Sequence, residues 1–373
     1  MASIIKNQDN INHIEDDTVS TLLNLTESYL REFVAPVAYQ IDQDSQALKK
    51  VLQGMGDRSL LGLRIPQTWS GVDITEITYR RFQQLIPRYS GALAFLQTQH
   101  QSAAEFISHS QNKSLQQQYL PQMGSGKILV GVGFSHLRKN DNSLLKAFPK
   151  NGGFQLNGQV PWLTGFNLFS QCIVAASLPD GQAVYGIIPF NEIKQNMGAT
   201  ITLSKPMQLG AMASTNTVSA AINNWFLAEE NVVSIKPAGA IQESDQKNVL
   251  NHGFTCLGCA EAALDIVETT AHTKQLLFIN KAFDSLADEL VRCQKAMLEA
   301  LSPNTKSWQE RLQLRAWAIN LMLRCANAAV IVSSGAANYQ NHPAQRVYRE
   351  ALVFAVSGQT TAVMEATLTK LVD

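Results

Sequence analysis

The apolar period of this chain changes twice, and that double change restricts the fold more than any single motif. Leu22, Leu25, Tyr29, Phe33 and Val37 recur at helical spacing until Pro36 and a polar segment loosen the pattern, and amphipathic stretches follow at 74–89, 91–108 and 114–119. From about 127 to 233 the apolar residues alternate instead, with strand-like runs at 128–135, 154–160, 171–178, 183–190 and 217–226. Helical spacing returns over 249–270, 283–301 and 308–334, with Ser302-Pro303-Asn304 as a break, and again over 344–371. The expectation is an α+β chain: an N-terminal helical domain (1–126), a central β-barrel or sandwich (127–233) and a C-terminal four-helix bundle (234–373). At 373 residues, with 45% hydrophobic residues, the chain is long enough for more than one core.

Two runs of the β region end in unusual side chains. Phe134-Ser135-His136 closes the first and Trp162-Leu163-Thr164-Gly165 closes the second. A packed hairpin with a tryptophan explains them blandly; hydroxyls and an indole plane forming a wall for a flat, redox-active ring explain them more specifically. Thirty basic residues balance thirty acidic ones, so no global field draws the chain to nucleic acid or an anionic membrane. The opening MASIIKNQDNINHIEDD lacks the pattern of a signal peptide, and no uninterrupted apolar run is read as long enough to span a bilayer. Five cysteines, an odd number, argue against a disulfide scaffold. A soluble, cytoplasmic protein with no resident metal is expected.

Taken together these residues resemble the acyl-CoA dehydrogenase family of flavoproteins. Ser135 matches a threonine that contacts the flavin there, while Trp162 and Thr164 match a Trp-Ile-Thr segment that covers the ring and hydrogen-bonds its N5. Gly62, Leu63, Ile65, Pro66 and Gly71 match a turn of the N-terminal domain, and Arg346, Arg349, Glu350 and Ala351 resemble a closing Arg-x-x-Arg-Asp-Ala motif. Gly335 matches one of two adjacent glycines near the end of the bundle. The resemblance implies an FAD site (FMN is the alternative) involving Phe134, Ser135, Trp162, Thr164 and Gly335. It also implies a small-molecule substrate such as an acyl-CoA thioester, and a homodimer or homotetramer.

The family's catalytic glutamate has no counterpart. Its usual place, near the C-terminus, falls on Gly358; its other place, nine residues before Leu257-Gly258, falls on Asn248, with Val249 where an arginine is common. The Arg-x-x-Phe-Gly pyrophosphate motif and the Gly-Ser-Asp turn after the first flavin strand are also missing. His252, four residues after Asn248, and His136 are the acid–base candidates that remain, against the plainer reading of packed histidines. Arg138 is either a phosphate or carboxylate partner or a solvated loop residue. Cys256 and Cys259 have redox-motif spacing but lie in an Ala-rich helix, which favours two small packed residues. Three functions stay open: an FAD-dependent oxidoreductase with atypical catalysis, a reduced-flavin-dependent monooxygenase of the same fold, and a catalytically silent binding or assembly subunit.

Overall fold

The computed structural model describes residues 17–138, 144–195, 198–302 and 305–372. The N-terminal layer comprises α1 (Asp17–Tyr29), α2 (Ala38–Gln43), α3 (Ser45–Gly56), α4 (Glu76–Tyr89), α5 (Gly91–Ser108) and α6 (Lys113–Met123). Pro36 does not end the first helical stretch. A π turn (Leu30–Val34) and a 3-10 turn (Ala35–Val37) absorb the missing N–H, and the break falls at Asp44, whose side chain accepts from Gln46 N to cap α3. Pro121 likewise lies inside α6 rather than ending it, because the last turn buries Leu120 and Met123.

Nine strands among the described residues form one mixed sheet: β1 (Val130–Gly133), β2 (Leu145–Lys150), β3 (Gly153–Leu163), β4 (Gln171–Ser177), β5 (Ala183–Pro189), β6 (Ile193–Lys194), β7 (Thr200–Leu203), β8 (Val218–Ala228) and β9 (Val232–Lys236). Their order is β6-β7-β8-β3-β2-β4-β5-β9, with β1 paired in parallel to β4. The sheet doubles back on itself. A Cβ on Gly186 of β5 would lie 2.3 Å from Leu227 of β8, and one on Gly133 of β1 would lie 2.0 Å from Leu163 of β3. The two runs that carry the wall residues therefore meet face to face. They do not share a hairpin, which β2 and β3 form instead.

The C-terminal layer holds α7 (Ala240–Lys247), α8 (Asn251–Lys274), α9 (Leu277–Glu299), α10 (Trp308–Ser333), α11 (Pro343–Val356) and α12 (Thr361–Val372). The stretch 344–371 is two helices because α11 ends at Ser357 and Gly358 takes φ +62°, a left-handed conformation that glycine adopts without strain. A capping box of Ser307 and Glu310 opens α10. Residues 308–338 are, by length and composition, apolar enough to cross a membrane, contrary to the sequence reading; here Leu312, Ile319, Met322, Cys325 and Ala329 are buried in the bundle. Pro303 and Asn304 of the expected break, and residues 139–143 of the turn after β1, lie outside the described residues.

The closing motif ties all three layers together. Arg346 Nη1 donates to both oxygens of the fully buried Glu350, at 2.8 Å each, and Gly91 N at the start of α5 donates to the same carboxylate. Arg349 donates to Asp42 of α2 at 2.8 Å and to the carbonyl of Gly210. Met212 N, in the loop that leads into β8, closes the network on Asp42 at 2.7 Å.

Candidate functional site

Leu163 points into the core at 1% exposure, so alternation along β3 turns its neighbour Trp162 outward, where the indole is 52% exposed. Thr164, just past the strand, is buried, and its Oγ1 lies 3.1 Å from Oγ1 of Thr217. One of these hydroxyls donates to the other, which leaves the second proton of the pair free for an outside acceptor. Ser135, itself exposed, opens a 3-10 turn (Ser135–Arg138) one residue after β1. Phe134 is less available, because its ring packs on Phe106 at 5.2 Å and on Tyr185 at 5.5 Å. Gly335 lies in open surroundings, where an added Cβ would meet nothing within 4 Å, so the single chain builds no cradle around it.

His136 faces the sheet rather than the wall. It is 3% exposed, its Nε2 sits 2.9 Å from the carbonyl of Ala175, and burial pushes its pKa down. Arg138 forms a two-pronged ion pair with Asp245 of α7 at 2.7 and 2.8 Å, which fixes the β1 turn to the C-terminal layer. Cys256 and Cys259 are free and buried, each against a carbonyl of α11, and no group of His, Cys, Asp or Glu among the described residues is arranged to hold a metal.

Although four residues apart, Asn248 and His252 do not share a helical face. Asn248 is the exposed end of α7 and bonds back to Ser244, whereas His252 lies in the first turn of α8. The chain turns between them, with Asn251 N donating to the carbonyl of Asn248. What His252 does meet is Gly358. A Cβ built on Gly358 would lie 2.3 Å from Cδ2 and 2.6 Å from Nε2 of the imidazole, and its three nearest heavy atoms all belong to that ring. The imidazole thus occupies the space that a side chain at the usual base position would need.

Three arginine charges act on this imidazole, and sequence reading singled out only one of them. Burial first, then the charges of Arg315, Arg138 and Arg80, push the His252 pKa down to about 3, so the ring is neutral at pH 7. Arg80 is paired with Glu76 at 2.7 Å and Arg138 with Asp245. Arg315 was missed because it lies mid-helix in α10, and only the packing of α10 on α8 and α11 brings it here. Glu261 on α8 was missed for the same reason: burial raises its pKa to about 7 where it accepts from Gln84 Nε2 at 2.6 Å. Two surface clefts, of about 430 and 230 Å³, lie elsewhere, the first beside Trp317, Asn320 and Arg324 and the second beside Tyr119, Ile187 and Trp225.

His100, fully buried, is likewise neutral. Its Nδ1 accepts from Val130 N at 3.1 Å while Nε2 donates to the carbonyl of Met123 at 3.0 Å, joining α5 to the start of the sheet, and burial pushes its pKa down to about 4. Folded pKa values below the unfolded 6.5 mean that the unfolded chain binds more protons as pH falls. The associated stability is complete above 6.5 and is lost on the way down towards 4 and 3. Between pH 7.5 and 5.0 His100 and His252 are each expected to take away about 2 kcal/mol of stability, offset in part by Glu261, whose raised pKa acts with the opposite sign. A pH dependence of the urea midpoint that is the same in the wild type and in His100→Asn would show that the His100 ring does not stay neutral in the folded protein.

Helical layers thus flank a doubled sheet that carries an outward indole at Trp162 and a hydroxyl pair at Thr164 and Thr217. A family profile described as "Acyl-CoA dehydrogenase, N-terminal domain" matches residues 16–127. An acyl-CoA dehydrogenase of Bacillus subtilis (strain 168) is 23% identical, covering 96% of this chain and 98% of its own. A 3-(aryl)acrylate reductase of Clostridium sporogenes is 19% identical over 91% of this chain and 94% of its own. The solved glutaryl-coenzyme A dehydrogenase in complex with glutaryl-CoA superposes with a TM-score of 0.79 at 17% identity, covering 96% of each chain, which is a likeness of fold. Residues 16–127 thus match the N-terminal domain of the acyl-CoA dehydrogenase family, and the whole chain shares the fold of solved acyl-CoA dehydrogenases.

Proposed function

We propose that this protein is a flavin-dependent oxidoreductase acting on a carbon–carbon bond next to an acyl group, with His252 rather than a carboxylate at the proton-handling position. The observation that carries this reading is the contact of His252 with Gly358, which puts an imidazole into the volume of the missing glutamate. Its ring makes no hydrogen bond to a described side chain, so its lone pair and N–H are available to a substrate. The exposed indole of Trp162 and the Thr164–Thr217 hydroxyl pair fit one face and one edge of an isoalloxazine, while the pyrophosphate motif of FAD has no counterpart here. A bound flavin supplies the hydride acceptor or donor. The chain supplies apolar cover through Trp162, a hydroxyl donor where negative charge develops, and a proton site at His252.

Relatives are named both for dehydrogenation and for reduction of such bonds, which supports the reaction class without choosing its direction. Exposed apolar residues on α11 and α12, among them Leu352, Val356, Met364 and Leu368, support self-association through that face.

The test is the visible absorbance of the purified protein with added FAD or FMN, followed by anaerobic addition of a panel of acyl-CoA thioesters and the corresponding free acids. A flavin spectrum that bleaches with an acyl donor is expected. Thr164→Val is expected to weaken flavin binding roughly tenfold, the loss of one net hydrogen bond of about 1.4 kcal/mol. Absence of binding by either flavin would end this reading.

A further inference from the structure

We propose that Arg315 is the floor of an anion site that takes the carboxylate of a free organic acid beside Gly358 and His252. The inference rests on the redox reading for its meaning, since it names a substrate class for that site, but its binding test requires no flavin.

Arg315 is 1% exposed and lies on α10. Its Nη2 donates to the carbonyl of Ser357, the residue before Gly358, at 2.7 Å. Its Nε and Nη1 are buried and meet no acceptor among the described residues. Two more donors on the same helix share this condition: Arg311 Nε and Trp308 Nε1 are buried without an acceptor. Positions 308, 311 and 315 follow the spacing that puts side chains on one helical face. Trp308 and Arg311 are half-buried where Arg315 is fully buried, so the row leads from near the surface down towards the imidazole. Buried donors are rarely left unmet in native proteins, and a row that contains only donors calls for a ligand that brings acceptors.

The charge balance selects the ligand. Glu76 compensates Arg80 and Asp245 compensates Arg138, at 2.7 Å in each case, but no described carboxylate pairs with Arg315. A guanidinium held out of water needs a counter-charge. A thioester carbonyl carries none, and a phosphate brings more negative charge than one guanidinium balances. A carboxylate supplies one charge, and its planar oxygens suit the guanidinium geometry. It also offsets the arginine charge that helps keep His252 unprotonated, so the imidazole becomes a better proton acceptor once such a substrate is seated.

The experiment measures thermal unfolding of the purified protein, without added flavin, against crotonate, methyl crotonate and inorganic phosphate. Crotonate is expected to bind saturably and to raise the midpoint by roughly 3 °C or more when present at about 100 times its Kd, whereas the uncharged ester leaves it unchanged. Arg315→Met is expected to raise the ligand-free midpoint, because a buried charge is removed, and to abolish the crotonate shift. Equal shifts for acid and ester, binding of phosphate alone, no crotonate shift, or a shift that survives Arg315→Met would each overturn the proposal. Should the variant fail to fold, the comparison of acid with ester on the wild-type protein decides. Crotonate binding without flavin binding keeps this inference and removes the redox reading; flavin binding without crotonate does the reverse.

Discussion

Replacing Glu350 with alanine is expected to destabilise the protein by about 3–5 kcal/mol, the cost of stranding a buried partner charge. Arg346, 7% exposed, would lose both of its 2.8 Å bonds, and Gly91 N at the head of α5 would lose its bond to the same carboxylate. The carboxyl itself is costly to bury, which is why its pKa is raised even beside Arg346. The double variant Arg346→Met with Glu350→Leu should therefore recover most of the loss, since removing both charges removes both desolvation penalties. Urea unfolding of the two single variants and the double variant makes the comparison. Single losses near 1 kcal/mol would mean that water reaches the pair and that it does not hold the three layers together.

The second large effect concerns the imidazole at the base position. Gly358→Ala is expected to cost about 3 kcal/mol or more, made up of roughly 1–2 for a left-handed backbone and about 1–3 for overpacking. The overpacking part arises from the 2.3 Å approach to His252. In a His252→Ala background only the backbone part should remain, so the two changes are expected to be non-additive by roughly 1–3 kcal/mol. Strict additivity would show that the ring and residue 358 do not compete for one volume. The same competition bears on the proton site proposed for His252. A carboxylate at 358 and an imidazole at 252 exclude each other, so turnover in Gly358→Glu should appear only when residue 252 is small.

Much of the architecture is legible in the residues alone because burial imposes a period on each kind of element. Helical spacing marks α4 and α5 to within two residues, and alternation marks β4 and β5. Errors fall where local chemistry competes with packing. Pro36 and Pro121 look like breaks, yet each forfeits one hydrogen bond while its neighbours bury apolar surface. The glycine at 358 looks only like a lost glutamate; in the fold it is also a helix stop that splits α11 from α12.

The chemistry divides along the same line. Trp162 and Thr164 could be found from sequence because they end one strand, two residues apart, and a strand fixes where its neighbours point. His252, Gly358 and Arg315 come from three different helices, and their meeting depends on how α8, α10 and α11 pack. Periodicity decides which faces are buried, and so determined the order of helices, strands and helices. It carries no information on which buried residues face each other, and only the tertiary structure put the imidazole of His252 against Gly358 and an uncompensated guanidinium beside it.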